Sequence, residues 1–194
     1  PGMGASFGNA GHIATEQVFP LASPAVIRGA PGYLFDKDSP LRIAPAYLMQ
    51  ILPWLARFTW ASRPSAFARG TAALASLQAT AANDFAGLLD TADASHLLHM
   101  KGHLVVVESP ASVAAARREL RELERFGVAA SWIERDQLKQ LAPGLRGAFQ
   151  GAQQFHGSGH VDDPHAVCVA LLDAFCRAGG QFRQEAVLGA SGGE

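Results

Sequence analysis

The sequence predicts an α+β fold, a mainly antiparallel sheet with helices packed against it. Three observations lead there. Apolar residues recur at helical spacing through residues 45–61, 64–89 and 110–126. Short β-rich runs punctuated by glycine occupy the middle of the chain. Helices and strands are segregated at first and alternate only late, the order of an α+β protein.

The elements follow in chain order. Residues 1–15 read as a loop, with Gly2, Gly4, Gly8 and Gly11 at short spacing. Five prolines between Pro20 and Pro45 make residues 20–45 irregular, with a short helix near Ala25–Gly29. In 45–61 the stripe is Leu48, Ile51, Leu52, Leu55 and Phe58, and Pro53 predicts a kink or break. In 64–89 one face carries Phe67, Leu74, Leu77, Ala81, Phe85 and Leu88, and Pro64 suits a first turn. His96–Met100 and His103–Val107 flank Lys101-Gly102 and read as a tight hairpin.

Ser109 is a natural N-cap for 110–126, whose buried stripe is Val113, Ala116, Leu120 and Leu123, with Gly127 closing it. A strand at 131–133, a short helix at 134–141 and a strand within 148–156 come next. Asp163 caps a helix with Pro164 in its first turn, ended by Gly179-Gly180, and 182–188 reads as a last strand.

Composition limits the function. The chain has 194 residues, 48% hydrophobic and 17% charged, enough for a core without metal or disulfide. No apolar run reaches the length of a membrane-spanning helix. Sixteen basic and seventeen acidic residues give, as a total, no footprint for nucleic acid or an anionic membrane. Residues 1–70 hold six basic and three acidic residues, and 71–194 hold ten and fourteen, a mild unevenness that reads as solvated surface. Cys168 and Cys176 stand too far apart on one helix for a disulfide, and read as buried apolar residues in a reducing, cytoplasmic setting. The glycine-rich start and the Gly192-Gly193-Glu194 end suggest a piece of a longer protein.

No CxxC, HExxH or phosphate-binding P-loop occurs. The densest polar cluster is His156-Gly-Ser-Gly-His160-Val-Asp162-Asp163-Pro164-His165. His156, His160 and Asp162 make a metal-dependent enzyme one reading. A helix start at Asp163-Pro164 explains the acids better, and the spacing matches no standard zinc pattern, so no metal is expected. His96, His99 and His103 read as structural histidines on strands. The opening Gly-Met-Gly-Ala-Ser-Phe-Gly-Asn-Ala-Gly-His-Ile interleaves Ser6 and Asn9 with small residues, which lets backbone N–H groups approach a flat ligand or a phosphate.

Together these segments resemble the FAD-dependent D-amino acid dehydrogenase and glycine/D-amino acid oxidase family. The resemblance starts at Gly4–Gly11 and runs through Pro20–Pro24, Leu34-Phe35, Ser39–Leu41 and the proline-containing Ile51–Phe58. It continues in Gly102–Ser109, Leu120–Leu145 and Gly159–Phe182. The family's N-terminal GxGxxG unit does not occur in this sequence, nor does its C-terminal part.

The resemblance implies a substrate domain with two flavin-facing edges, a fragment of a two-domain enzyme. Residues 1–15 would be a flavin-facing loop of the FAD domain, 16–160 the substrate-binding domain, and 161–194 a helix and strand returning to the FAD domain. It places FAD contacts at Ser6, Asn9, Ala10 and Gly11, and an adenine-edge contact at Val187, or Ala186 if the register slips. The implied reaction is oxidation of an amino acid's Cα–N bond by hydride transfer to flavin N5. No catalytic side chain is nominated, and the arginine expected to clamp the substrate carboxylate falls outside the sequence. The implied partner is an amino-acid substrate, not nucleic acid. For dehydrogenase members a peripheral contact with the inner membrane and its quinones is implied. This fragment is expected to be inactive and largely free of FAD. A non-catalytic α+β binding module is the alternative.

Overall fold

The computed structural model describes residues 2–35, 47–185 and 189. In order these contain β1 (His12–Ile13), α1 (Pro24–Phe35), α2 (Leu48–Ala61), α3 (Pro64–Thr91), β2 (Leu98–His99) and β3 (His103–Val107). Then follow α4 (Pro110–Glu124), β4 (Ala130–Glu134), α5 (Arg135–Leu141), β5 (Gly151–Phe155), β6 (Gly159–Val161) and α6 (Pro164–Arg177). The mixture of helix and antiparallel sheet is the α+β class expected from the sequence. Two compact units divide the chain. One holds residues 1–13, 83–100 and 159–194, and the other holds 14–82 and 101–158.

In the first unit β6 lies between β1 and β2, both antiparallel to it. His12 and His99 both stand opposite His160. Leu89, Ala92, Ala94, Val161 and Val167 form the buried core, with Phe85, Leu97 and Leu171 packed on it. The start of α6 is fixed by chemistry local to the chain. Pro164 occupies the first turn, and Asp163 Oδ1 accepts from the N–H groups of His165 at 2.9 Å and Ala166 at 3.1 Å.

In the second unit β5 lies between β3 and β4, again antiparallel. One side of this sheet packs Phe155, Trp132 and Ala130 against Val18 and the Leu120 and Leu123 stripe of α4. The other side packs Ile133 and Ala152 on Leu138 of α5 and Phe149, with Leu104 and Val106 beside them. Alternate strand residues point to opposite faces, so β4 and β5 each contribute to both cores, and β3 adds Leu104 and Val106 to the second. The α4 helix ends at Gly127, φ +79°, where the Val128 N–H reaches the Leu123 carbonyl at 3.2 Å. A reciprocal capping box of Glu134 and Gln137 starts α5.

Several expectations are corrected. His96–Met100 and His103–Val107 are not a hairpin: β2 pairs with β6 and β3 with β5. Lys101-Gly102 connects two sheets, with Gly102 at φ +87° donating its N–H to the Ser158 carbonyl at 2.9 Å. The helix near Ala25–Gly29 extends over Pro24–Phe35, started by Pro24 and by Ser23 Oγ accepting from the Val26 N–H. The α2 helix runs through Pro53 without ending there, and Leu52 of its expected buried stripe is exposed. In α3 the inward line is Phe67, Thr71, Leu74, Gln78, Phe85 and Leu89. Leu77 and Leu88 each fall one step outside it and face water. Ser109 holds the N-cap position of α4 without a side-chain cap bond. Cys176 is exposed and Cys168 half-buried, so neither is the buried apolar residue expected. Residues 181–185 form no strand, and 186–188 lie outside the described residues.

Candidate functional site

The glycine-rich segment belongs to the first unit. Residues 3–5 and 7–10 are exposed and Ser6 is half-buried. Two turns shape it: the Phe7 N–H reaches the Gly4 carbonyl at 3.2 Å, and the Asn9 N–H reaches the Ser6 carbonyl at 3.4 Å. Asn9 Oδ1 accepts from the Gly11 N–H at 2.9 Å, an Asx turn that orients the side chain. Gly11 is itself buried at φ +66°, and a Cβ there would stand 2.4 Å from the Val161 carbonyl oxygen. Its glycine is therefore required by the packing of β1 on β6. At Gly4 and Gly8 no atom lies within 4 Å of where a side chain would begin. The stretch is open and low in relief, with short polar side chains at Ser6 and Asn9. Val187 and its alternative Ala186 lie outside the described residues.

The cluster at 156–165 separates. His156 Nε2 lies 3.0 Å from Ser131 Oγ in the second unit. In the first unit His160 and Asp162 are joined instead by His99. The His99 Nε2 to Asp162 Oδ2 distance is 2.7 Å, His160 Nε2 to Asp162 Oδ1 is 3.6 Å, and the two imidazole centres are 5.3 Å apart. Asp162 thus sits against imidazoles on neighbouring strands, while Asp163 serves the helix. The set His156, His160, Asp162 is not assembled as one ligand group.

The second unit carries a cleft of about 840 Å³ whose wall includes Glu16, His103, Gln78, Glu119, Gln153 and Phe155. Sequence reading did not single out its polar floor. The buried Ser158 hydroxyl donates to the buried Glu16 carboxylate, and His103 Nδ1 lies 3.5 Å from the other Glu16 oxygen. Buried Gln153 donates to the Ala116 carbonyl at 3.1 Å and to Glu119 Oε2 at 3.2 Å. With its proton directed to Glu16 rather than to an imidazole, Ser158 is not arranged as an activated nucleophile. Among the described residues no lysine or arginine lines the cleft. Its carboxylates and amides suit an ammonium or a neutral polar group, not a carboxylate.

At the sheet's far edge the Arg117 guanidinium lies 2.5 Å from Glu134 and 4.6 Å over the Trp132 ring. The hydrogen bond from Arg117 holds the Glu134 carboxyl below its usual range.

Comparison with known proteins bears on all three places. A family model described as FAD dependent oxidoreductase matches residues 1–194. D-amino acid dehydrogenase 2 of Ralstonia nicotianae is 32% identical over 180 residues, covering 91% of this chain and 42% of that protein. D-amino-acid oxidase of Bradyrhizobium diazoefficiens is 29% identical over 181 residues, covering 92% and 42%. The chain thus spans about two fifths of the length of these curated relatives. Glycine oxidase from Geobacillus kaustophilus has a similar fold, with TM-score 0.52 and 19% identity over 93% of this chain and 36% of that one.

Proposed function

The chain belongs to the FAD dependent oxidoreductase family, and from that premise we propose that it forms the substrate-domain part of an enzyme that oxidatively deaminates an amino acid. The observation that carries the reading is the family match over residues 1–194, including the exposed Gly4–Ala10 loop. The names of the relatives point to a D-amino acid or glycine as substrate. FAD when bound supplies a hydride acceptor at flavin N5, so that the Cα–N bond becomes an imine that water converts to a keto acid and ammonia.

The residues of this chain bind and orient. Ser6, Asn9 and Ala10 are proposed to lie along the cofactor, with Gly11 holding their loop on β6. Asn9 already spends its side-chain oxygen on Gly11, which leaves its amide nitrogen as the donor toward a cofactor oxygen. Val187 is proposed for the adenine edge. Residues 1–15 and 161–194 are proposed as the parts facing the FAD domain, and 16–160 as the part facing substrate. The guanidinium that clamps the substrate carboxylate is proposed to come from elsewhere in the enzyme, since no lysine or arginine is among the described residues of the second unit's cleft. The enzyme is proposed to act in the cytoplasm.

The test uses the intact enzyme. Under anaerobic conditions a D-amino acid or glycine should bleach the flavin band with formation of one keto acid per flavin. Asn9→Ala should weaken FAD binding while leaving the far-UV circular dichroism unchanged. An enzyme that binds FAD but is not reduced by any amino acid would overturn the proposed reaction.

A further inference from the structure

We propose that the cleft of the second unit holds the cationic side chain of a basic amino-acid substrate, selected by Glu119 and Gln153. The proposal rests on the deamination proposed above, in which residues 16–160 face substrate, and names the substrate class. Strand register builds the site. Val105 on β3 and Trp132 on β4 both stand opposite Gln153 on β5, and directly opposed residues share a sheet face. An amide thus sits in the middle of an apolar face, 5% exposed. Its Nε2 donates to the Ala116 carbonyl at 3.1 Å and to Glu119 Oε2 at 3.2 Å. These bonds use both amide protons and fix which way the amide faces. Among the described residues nothing donates to Gln153 Oε1. With Nε2 turned to α4 and Gln153 on the wall of the cleft, Oε1 is the acceptor left for a ligand's donor.

The surroundings select the charge of that donor. Glu119 is exposed on α4 and pairs with no lysine, arginine or histidine among the described residues. Gln78 on α3 is half-buried and makes no side-chain hydrogen bond among them. The other acid, Glu16, is engaged by Ser158 and lies against His103, so Glu119 is the carboxylate left to meet a cation. Phe19, Leu74 and Leu123 add apolar wall to the cleft of about 840 Å³. An alkyl stem ending in an ammonium or a guanidinium satisfies all of these groups. The stem lies on the apolar wall, and the head donates to Glu119 and to Gln153 Oε1. A side chain ending in a carboxylate would meet the like charge of Glu119, and a purely aliphatic one would leave Oε1 without a donor.

The intact enzyme would be titrated with n-pentylamine and with hexanoate, its carboxylate counterpart, and contact followed by saturation-transfer NMR. The amine is expected to bind and hexanoate is not. Glu119→Gln, which keeps an acceptor for Gln153 and removes the charge, should weaken amine binding about tenfold. Glu119→Lys should abolish it, both variants keeping the far-UV circular dichroism of the wild type. In turnover, kcat/KM for D-lysine should exceed that for D-norleucine, which keeps the carbon stem without the charge. Glu119→Gln should lower that ratio about tenfold. Equal kcat/KM for the two substrates, or amine binding indifferent to Glu119, would overturn the proposal and leave the deamination standing. The same result is expected if another part of the enzyme fills the cleft. Amine binding that responds to Glu119 in an enzyme whose flavin no amino acid reduces would overturn both the deamination and the substrate assignment, leaving the cleft a site for some other organic cation.

Discussion

Asp163 and Ser109 stand at the same position of their helices and do different work there. Asp163 accepts two backbone N–H groups, whereas Ser109 accepts none with its side chain. Asp163→Ala should therefore cost about 1 kcal/mol, the usual loss of an N-cap, and Ser109→Ala should cost only a few tenths. Urea denaturation of the two variants side by side measures the difference. Equal losses would mean that Asp163 acts through something other than its cap bonds. Gly11 gives the complementary case, in which a residue marked by its resemblance to a flavin contact carries a structural demand of its own. An alanine there combines φ +66° with a Cβ 2.4 Å from a carbonyl oxygen. Gly11→Ala should destabilise the first unit by about 1–3 kcal/mol or more, measurable with no cofactor present. FAD affinity lost in that variant is then no evidence of direct contact, while loss in Asn9→Asp, which keeps the oxygen that accepts from Gly11 and removes the amide donor, is.

Elements with a long apolar period were legible in the sequence: α2, α3 and α4 appear where the 3.6-residue repeat put them, and α6 where its start and stop residues did. The misreadings have physical causes. A run of alternating residues announces a strand but not its partner. His96–Val107 therefore looked self-paired around Lys101-Gly102, when β2 and β3 both find their partners in residues 151–161. A helix stripe is about two residues wide, so Leu77 and Leu88 were placed inward from their side-chain type, although Thr71 and Gln78 hold the true line. The buried Glu16, Ser158 and Gln153 could not be read at all, because each is satisfied by a group distant in sequence.

The edge of β4 offers a pH test. The hydrogen bond from Arg117 lowers the folded-state pKa of Glu134 below the ordinary 4.5. A lowered carboxylate contributes stability that is fully present above 4.5 and is lost as pH falls through its folded value. Glu134 is exposed, so solvent screens the effect. Wild type should be the more stable above pH 4.5, and Glu134→Gln should converge with it on acidification. Denaturation midpoints across that range decide it, and a constant gap would exclude the ion pair as its source.

At the scale of the whole molecule, the distribution of chemistry matters more than its total. The exposed glycine loop and the histidine–aspartate cluster lie in the first unit, and the cleft with its carboxylates lies in the second. A dinucleotide is held by a glycine turn that admits its pyrophosphate, a helix N-terminus that faces the phosphates, and an acid on the ribose. The sequence of these 194 residues contains no G-x-G-x-x-G. The stretch proposed to face FAD is Ser6–Gly11, with residues 7–10 exposed, and fixing such a loop costs about 1–2 kcal/mol of backbone entropy per residue. Few contacts within the chain offset that cost. Residues 1–194 expressed alone should therefore fold yet elute from a desalting column without a flavin spectrum after incubation with FAD, and should not oxidise D-amino acids. The same residues within the intact enzyme should retain flavin and lose it when Asn9 is changed. Stoichiometric flavin on the isolated chain, bleached by a D-amino acid, would show that the loop and its neighbours seat the cofactor without the glycine turn.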